Sequence, residues 1–382
     1  MSVAAARVGR PAAVLPADPL DLVPRGSVIA VAMSGGVDSS VAAARCVHRG
    51  LTTIGITLAM WPRDRELDRD RGCCSVDAVE DARRVAATLG IPHYSWNLEA
   101  AFRDSVISAY ADEYAAGRTP NPCVQCNRTI KFGALLERAL QAGATHVATG
   151  HYARTGRRGD EVTLHRSVDR FKDQAYTLHQ LDQAQLRRAV FPLGSIASKA
   201  EVRGLAAELG LLTAAKPDSQ ELCFVAGSVR VDLEQRLAGR YRAGDLLDVD
   251  GNRLGEHRGV PFYTVGQRAG VGVAPTTSDS KPLYVVEVNA GNNTVTVGPR
   301  ERLLRRDLRL LDTRWTGAAP YTGMALSLQL RSHAVPAPVT VEALFGRTAT
   351  LACDPPVTQV APGQSGVLYD LDEVVGGGVV AS

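Results

Sequence analysis

The chain alternates short, continuous apolar runs with longer segments whose apolar residues recur every three or four positions. Ser27–Met33 (Ser-Val-Ile-Ala-Val-Ala-Met) is one such run, ending at Ser-Gly-Gly, and predicts a strand buried on both faces. Val41–His48 reads as a helix stopped by Gly50, followed by a strand at Thr53–Met60, a helix at Val76–Leu89 and a strand at His93–Leu98. Phe102–Tyr114 reads as helical through Val106, Ile107 and Tyr110. After a Pro-rich loop at 119–127, Ile130–Gln141 is a helix and His146–Thr149 a strand. Helices at 182–190 and 198–209 finish this half. Strands alternating with helices at these lengths predict an α/β domain with a parallel sheet.

From about residue 218 the texture changes. Short strand-like runs (Leu283–Val288, Thr294–Val297, Ala325–Leu330, Val339–Ala343) are separated by Gly, Pro, Asp and Asn, with Asp250-Gly251-Asn252 and Gly376-Gly377-Gly378 as turn signals. That spacing predicts a small middle module and then a β-barrel or sandwich. Residues 1–27 are rich in Ala, Pro and Arg without periodicity and read as a disordered leader. Within them, Leu22–Ser27 spells a protease recognition sequence and is left out of the fold argument.

At 382 residues, two or three domains are expected, and 45% apolar against 22% charged residues allows a core that folds without staples. A net charge of +3 means that any nucleic-acid site must be a local basic surface. No run is long and apolar enough to span a membrane, and no apolar core of a secretory signal follows the early arginines. The odd count of seven cysteines argues against a disulfide framework, so a cytoplasmic protein is expected. Cys46, Cys73, Cys74 and Cys353 read as small, partly buried side chains.

Ser34-Gly35-Gly36-Val37-Asp38-Ser39-Ser40 lies between the first strand and the first helix. Two glycines let backbone approach phosphate oxygens, and the helix start offers unpaired N–H groups. The serine hydroxyls add donors, and Asp38 can help hold Mg²⁺. There is no Gly-Lys-Ser/Thr and no Gly-x-Gly-x-x-Gly, so neither a Walker loop nor a dinucleotide fingerprint is present. Ser-Gly-Gly-x-Asp-Ser resembles the signature of the N-type ATP pyrophosphatases, the PP-loop superfamily, which adenylate a substrate oxygen.

Two further runs carry thiols. In Arg118-Thr-Pro-Asn-Pro-Cys-Val-Gln-Cys-Asn-Arg-Thr-Ile-Lys-Phe132, the prolines predict a stiff, non-helical loop with Cys126 just before a helix. A helix start with Arg128 and Lys131 nearby suits a reactive thiolate. Lys216-Pro-Asp-Ser-Gln-Glu-Leu-Cys-Phe224 places Cys223 where the first half ends. A structural zinc half-site would need a second pair at ligand spacing, which Cys73 and Cys74 do not supply.

Together these runs closely resemble the tRNA-specific 2-thiouridylases, which make 2-thiouridine at the wobble position of lysine, glutamate and glutamine tRNAs. The resemblance extends through Gly150-His-Tyr-Ala-Arg154, Lys172-Asp-Gln174, Asp218-Ser219…Cys223-Phe224, Tyr263-Thr-Val-Gly-Gln-Arg268 and Pro362-Gly-Gln364…Gly376-Gly-Gly378. It implies an α/β parallel-sheet PP-loop domain at 28–215, a small central domain at 216–280 and a C-terminal β-barrel at 281–382. It also implies that Ala32, Met33, Ser34, Gly35, Gly36, Val37, Asp38 and Ser39 wrap the ATP phosphates, with Met60 and Gly150 on the adenosine. Asn121, Pro122 and Cys123 would lie against the target uracil. His151, Lys172, Asp173, Gln174, Arg331 and Gln364 would contact tRNA, and Arg268 would brace domains. Sulfur would arrive as a persulfide on Cys223, loaded by a cysteine desulfurase or a sulfur carrier. Cys126 would act as nucleophile, and a Cys126–Cys223 disulfide would remain.

One departure opens a second route. Many members have Asp-x-x-Cys where this chain has Cys123-x-x-Cys126, so Cys123, Cys126 and Cys223 are alternatively ligands of a [4Fe–4S] cluster carrying the sulfide. The competing functions are another PP-loop ligase acting on a small carboxylate, which needs neither Cys126 nor Cys223, and a tRNA-binding module without catalysis.

Overall fold

The computed structural model describes residues 11–60, 76–218, 222–225, 227–268, 270–271 and 282–381. Cys73, Cys74 and Ser219 lie outside the described residues. The first apolar runs become β1 (Val28–Ala32) and β2 (Thr52–Ala59), joined through helix α1 (Val37–His48); helix α2 (Val76–Thr88) leads to β3 (His93–Asn97). Strand β4 (His146–Ala148) pairs with the other side of β1. The hairpin β5 (Ala153–Arg158) and β6 (Glu161–Arg166) follows, and β7 (Ala189–Val190) completes the parallel sheet in the order β3-β2-β1-β4-β7. Ile29, Ala30 and Val31 are at most 1% exposed because helices cover both faces of the sheet, which is why this run is uniformly apolar. Chain order reverses between β1 and β4. Ligands of such sheets bind in the crevice beyond the strand ends at that reversal.

Several expectations give way here. Residues 11–27 are not a loose leader throughout. Val14 exchanges backbone hydrogen bonds with Arg157, and Leu20, 2% exposed, packs in the core under α1. The 119–127 stretch is only partly a loop, because Pro122–Cys126 is helical. Asn121 caps it, its side chain accepting from Val124 N at 3.3 Å, and Pro122 takes the first helical position, where the missing N–H costs nothing. The turns continue without a break into a π-wound segment, Asn127–Ala134, and then Leu135–Gln141. The predicted 182–190 helix is a single turn, Gln183–Leu186, followed by β7.

Strands β8 (Gly244–Leu247), β9 (Arg253–His257), β10 (Tyr284–Asn289) and β11 (Thr294–Gly298) form a small sheet in the order β10-β11-β8-β9. The runs at 283–288 and 294–297 therefore belong to the middle module and not to the barrel. Their Val285, Val295 and Val297 share a core with Leu246, Val260 and Tyr263.

The barrel itself comprises β12 (Leu304–Trp315), β13 (Ala325–Gln329), β14 (Ala337–Phe345), β15 (Thr348–Thr358), β16 (Ser365–Asp370) and β17 (Glu373–Val380). It closes because β12 pairs with both β15 and β17, leaving no free edge in that ring. β6 pairs with β17, so a hairpin of the first domain extends the barrel's sheet. Gly376-Gly377-Gly378 lie inside β17 and are no turn. A Cβ on them would come within 2.2 Å of Arg314 O, 2.3 Å of Gly366 O and 2.4 Å of Leu311 O, so close backbone approach explains the triplet.

Candidate active site

The β1–α1 loop sits at the sheet's reversal point, and its own hydroxyls shape it. Ser39 Oγ receives the Ser34 N–H at 3.1 Å and donates to Gly36 O at 3.1 Å; Ser40 Oγ donates to Gly36 O at 2.9 Å. Gly35 has φ +68, and a Cβ there would sit 2.2 Å from Ala78 O, so both conformation and space require glycine. Gly36 is the helix N-cap and contributes no side-chain cap bond, which leaves the first N–H groups of α1 open to a ligand.

A cleft of 190 Å³ opens beside this loop. Ala32, Met33, Ser34, Asp38 and Ser39 form one wall, and Gly35, Gly36 and Val37 are not part of its lining. Ile56, Leu58 and Met60, from the end of β2, make an apolar wall, and Thr149, Gly150 and His151 beyond β4 close the other side with Lys131 and Gln174. An apolar slot next to a phosphate-shaped loop suits a nucleoside triphosphate. Met60 and Gly150, expected on the adenosine, both line this cleft.

His151 lies in this cleft, only 8% exposed. Burial, and then the Lys131 ammonium, hold its pKa well below 6.5. Lys131 Nζ, 3.5 Å away, can only donate, so Nε2 accepts and Nδ1–H donates to Thr149 Oγ1 at 2.7 Å. Gln174 accepts from Tyr152 N at 3.1 Å on the cleft wall. Asp173 differs from the expectation of an RNA contact. It is 4% exposed, and its carboxylate accepts from Ser167 N at 2.9 Å and Arg166 Nη1 at 3.1 Å, so it holds the loop from within.

Three residues to which the sequence motifs gave no role at this loop complete its surroundings. Tyr152 OH donates to Asp38 Oδ1 at 2.7 Å, and Lys199 Nζ donates to both Asp38 oxygens at 2.7 Å. Lys216 Nζ donates to Gly35 O at 3.0 Å and to Asp81 at 2.6 Å. A Walker loop carries its lysine in the motif; here the cations come from elsewhere in the chain. Lys172 is paired with Asp218 at 2.9 Å. Burial alone would raise the Asp218 pKa, but hydrogen bonds from Lys172 and Lys199 outweigh it and push the group down to about 2.

The three thiols stand in different settings. Cys123 is exposed, near the start of the helix, while Cys126 is 8% exposed one turn further in. The helix begins four residues earlier than Cys126, so the helix-start field expected there falls mainly on Cys123. Cys223 is half-buried and packs against the core cluster that contains Cys126. Its neighbour Phe224 anchors it, with ring centroids 5.0 Å from Tyr110 and 6.0 Å from Phe102 in edge-on contact. Neither Cys126 nor Cys223 is in a disulfide. Among the described residues no three His, Cys, Asp or Glu side chains gather as a metal would need, so Cys123, Cys126 and Cys223 do not fit a cluster in this arrangement.

The segment ahead of Cys123 is braced by the other two domains. Thr119 N donates to Pro362 O at 2.7 Å, and Gln364 Nε2 donates to Thr119 O at 3.0 Å and Pro120 O at 3.4 Å. Gln364, expected at RNA, has its amide donors turned onto this segment. Thr119 Oγ1 meets Thr264 Oγ1 at 3.2 Å. Arg331 is exposed beside Gly266 of the central domain, and Arg268 is exposed as well.

Residues 27–227 match the tRNA methyl transferase HUP domain, 233–299 the PRC-barrel domain and 305–380 the aminomethyltransferase beta-barrel domain families. A tRNA-specific 2-thiouridylase MnmA of Streptomyces coelicolor is 46% identical over 358 residues, covering 93% of this chain and 94% of that one. The chain belongs to the tRNA-specific 2-thiouridylase family. The same name attaches to a Heliobacterium modesticaldum protein, 45% identical over 362 residues and 92% of each chain. A solved 4-thiouridine synthetase–RNA complex with bound ATP is 18% identical, covering 56% of this chain and 51% of that chain, with a TM-score of 0.33. The PP-loop domain marks the family as one that uses ATP. Among the described residues no helix is long and apolar enough to cross a membrane.

Proposed function

We propose that this chain is a tRNA-uridine 2-sulfurtransferase acting on the wobble uridine of lysine, glutamate and glutamine tRNAs in the cytoplasm. The observation that carries the proposal is convergence. The cleft's Ile56, Leu58 and Met60 share one core cluster with Cys126 and Phe224, and Cys223 packs against that cluster.

Uridine O2 attacks the α-phosphate of ATP, forming the O2–P bond and expelling pyrophosphate. C2 is a poor electrophile until its oxygen becomes this leaving group. Cys223 arrives as a persulfide, loaded by a cysteine desulfurase or a sulfur carrier. The Cys126 thiolate attacks Cys223 Sγ, forming the Cys126–Cys223 disulfide and releasing the terminal sulfur as hydrosulfide. Hydrosulfide adds to C2, AMP leaves with the old O2, and loss of a proton gives 2-thiouridine. A thiol reductant then restores both cysteines.

Asp38 would hold Mg²⁺ against the phosphates, where the ion neutralises charge on the departing pyrophosphate. The base must leave its stack to reach this pocket. Lys172 and Arg331 are then available to phosphate oxygens, and Cys123 to the edge of the uracil beside Asn121 and Pro122. The test is incubation with ATP, a persulfide donor and unmodified tRNA, followed by nucleoside mass spectrometry. Wild-type protein should form 2-thiouridine, while Cys126→Ser and Cys223→Ser should each lose it; full thiolation by either variant sinks the mechanism.

A further inference from the structure

Where the first domain meets the barrel, one guanidinium ties together stretches from both sides of the seam. Arg166, the last residue of β6, donates from Nη1 to Asp173 at 3.1 Å and from Nη2 to Gln329 Oε1 at 2.6 Å. Its guanidinium carbon lies 3.8 Å from the centre of the Tyr369 ring in β16. The Arg166 main chain is pinned as well, its N–H donating to Asp372 O at 2.9 Å and its carbonyl accepting from Arg154 Nε at 2.8 Å. Gln329, buried at the end of β13, passes the contact on: its amide nitrogen donates to Arg331 O at 2.9 Å and Ser332 O at 2.7 Å. That amide can stand only one way round, because the two carbonyls can only accept and the guanidinium can only donate. On the first domain's side, the Asp173 carboxylate also accepts from Ser167 N at 2.9 Å, and Asp169 Oδ1 accepts from Lys172 N at 3.2 Å. Arg166 thus stands between the loop that carries Lys172 and the turn that begins at Arg331.

We propose that Arg166 is a positioning residue for tRNA binding: with Gln329 as its relay, it fixes Lys172 of the first domain relative to Arg331 of the barrel, so that both cations meet phosphates of one RNA. The proposal rests on the tRNA reading above, in which those two cations face phosphate oxygens. Phosphates along a folded RNA loop stand at set separations, so cations from two separately packed domains bind together only when the domains are held in register. Stability alone does not call for this arrangement, because an apolar seam holds two domains at least as well as a buried ionic group. What the guanidinium adds is direction. Two donors at a fixed angle and a flat face for Tyr369 accept a single geometry, whereas a lysine at 166 would offer one point charge to three partners. A side chain that only braced the fold would leave the contribution of Arg331 to RNA binding untouched.

The experiment measures the Kd of an unmodified lysine tRNA transcript for the full-length protein by fluorescence anisotropy, with melting temperature recorded for every variant. In the wild type, Lys172→Ala and Arg331→Ala should each weaken binding by about fivefold, as expected for loss of one charge-assisted phosphate contact. Gln329→Glu keeps an acceptor for Arg166 but sets a carboxylate against the Arg331 and Ser332 carbonyls. By itself it should weaken tRNA binding by about the same factor as Arg331→Ala, and in its background Arg331→Ala should cost less than about twofold, the signature of coupled residues. Arg166→Met and Arg166→Lys should likewise bring the cost of Arg331→Ala below about twofold, since the lysine keeps the charge but not the fork. Gln329→Glu leaves the Arg166–Asp173 pair whole, so it decides the question where the Arg166 variants fail to fold. An undiminished cost of Arg331→Ala in Gln329→Glu or in either folded Arg166 variant overturns the proposal, however far the melting temperature falls. If Lys172→Ala or Arg331→Ala leaves wild-type binding unchanged, the tRNA reading of that residue itself falls, and the proposal with it.

Discussion

Gly150→Ala isolates the steric requirement of the ATP cleft. A Cβ at this position would stand 2.8 Å from Ser39 N, 2.9 Å from Asp38 C and 3.0 Å from Asp38 Cβ, where ordinary contact begins near 3.4 Å. These atoms belong to the first turn of α1, pinned by the Ser39 and Ser40 bonds to Gly36 O, and cannot swing aside as a side-chain tip would. The loop must therefore shift by about half an ångström, a form of overpacking that costs about 1–3 kcal/mol. The displaced Ser39 N–H is among the open donors that face a phosphate. If most of the cost appears in binding, ATP affinity falls by about tenfold to a hundredfold, at about 1.4 kcal/mol per factor of ten. Calorimetric titration with ATP measures this, and Gly204→Ala, where a Cβ meets nothing within 4 Å, is the control expected to keep wild-type affinity. Wild-type affinity in Gly150→Ala would refute the argument that the strand-end glycine is kept for phosphate-loop geometry.

Phe224→Ala removes the edge-on contacts with Tyr110 and Phe102, so it should destabilise the first domain by roughly 3–5 kcal/mol in denaturant titration and slow thiolation. Gln364→Ala deletes the donors to Thr119 O and Pro120 O; a loss of about 1–3 kcal/mol is expected, with a lower kcat in the thiolation assay. For acid stability, burial holds the His179 imidazole down to about 4 from 6.5. The unfolded chain takes up that proton first, so stability is intact above pH 6.5 and declines as pH falls toward 4. The total is roughly 3 kcal/mol at 1.36 kcal/mol per unit. His179→Gln should flatten that part of the acid limb in denaturation curves at pH 7 and pH 4.5, and an unchanged limb would count against the assignment.

Local chemistry made much of this protein legible from its residues alone. β1 is apolar without interruption because both faces of a parallel sheet are covered, and Ser34–Ser40 announces a phosphate loop through its own glycines and hydroxyls. The Asn121-Pro122 helix start was also local, since an amide cap before a proline at the first helical position is a recognised beginning; the second proline at 120 masked it. What stayed hidden depends on partners far along the chain. The β5–β6 hairpin makes sense only against β17, and Gly376–Gly378 mark strands from elsewhere pressing on the backbone, where composition reads a turn. The expected RNA contacts Asp173 and Gln364 turned inward because buried donors and carbonyls needed them. Lys199 meets Asp38 across 161 positions. Periodicity and motif spacing report on the neighbourhood of each residue, whereas the ion-pair chain and the packing of Cys223 exist only once the sheet, the barrel and their connecting loops have closed around them.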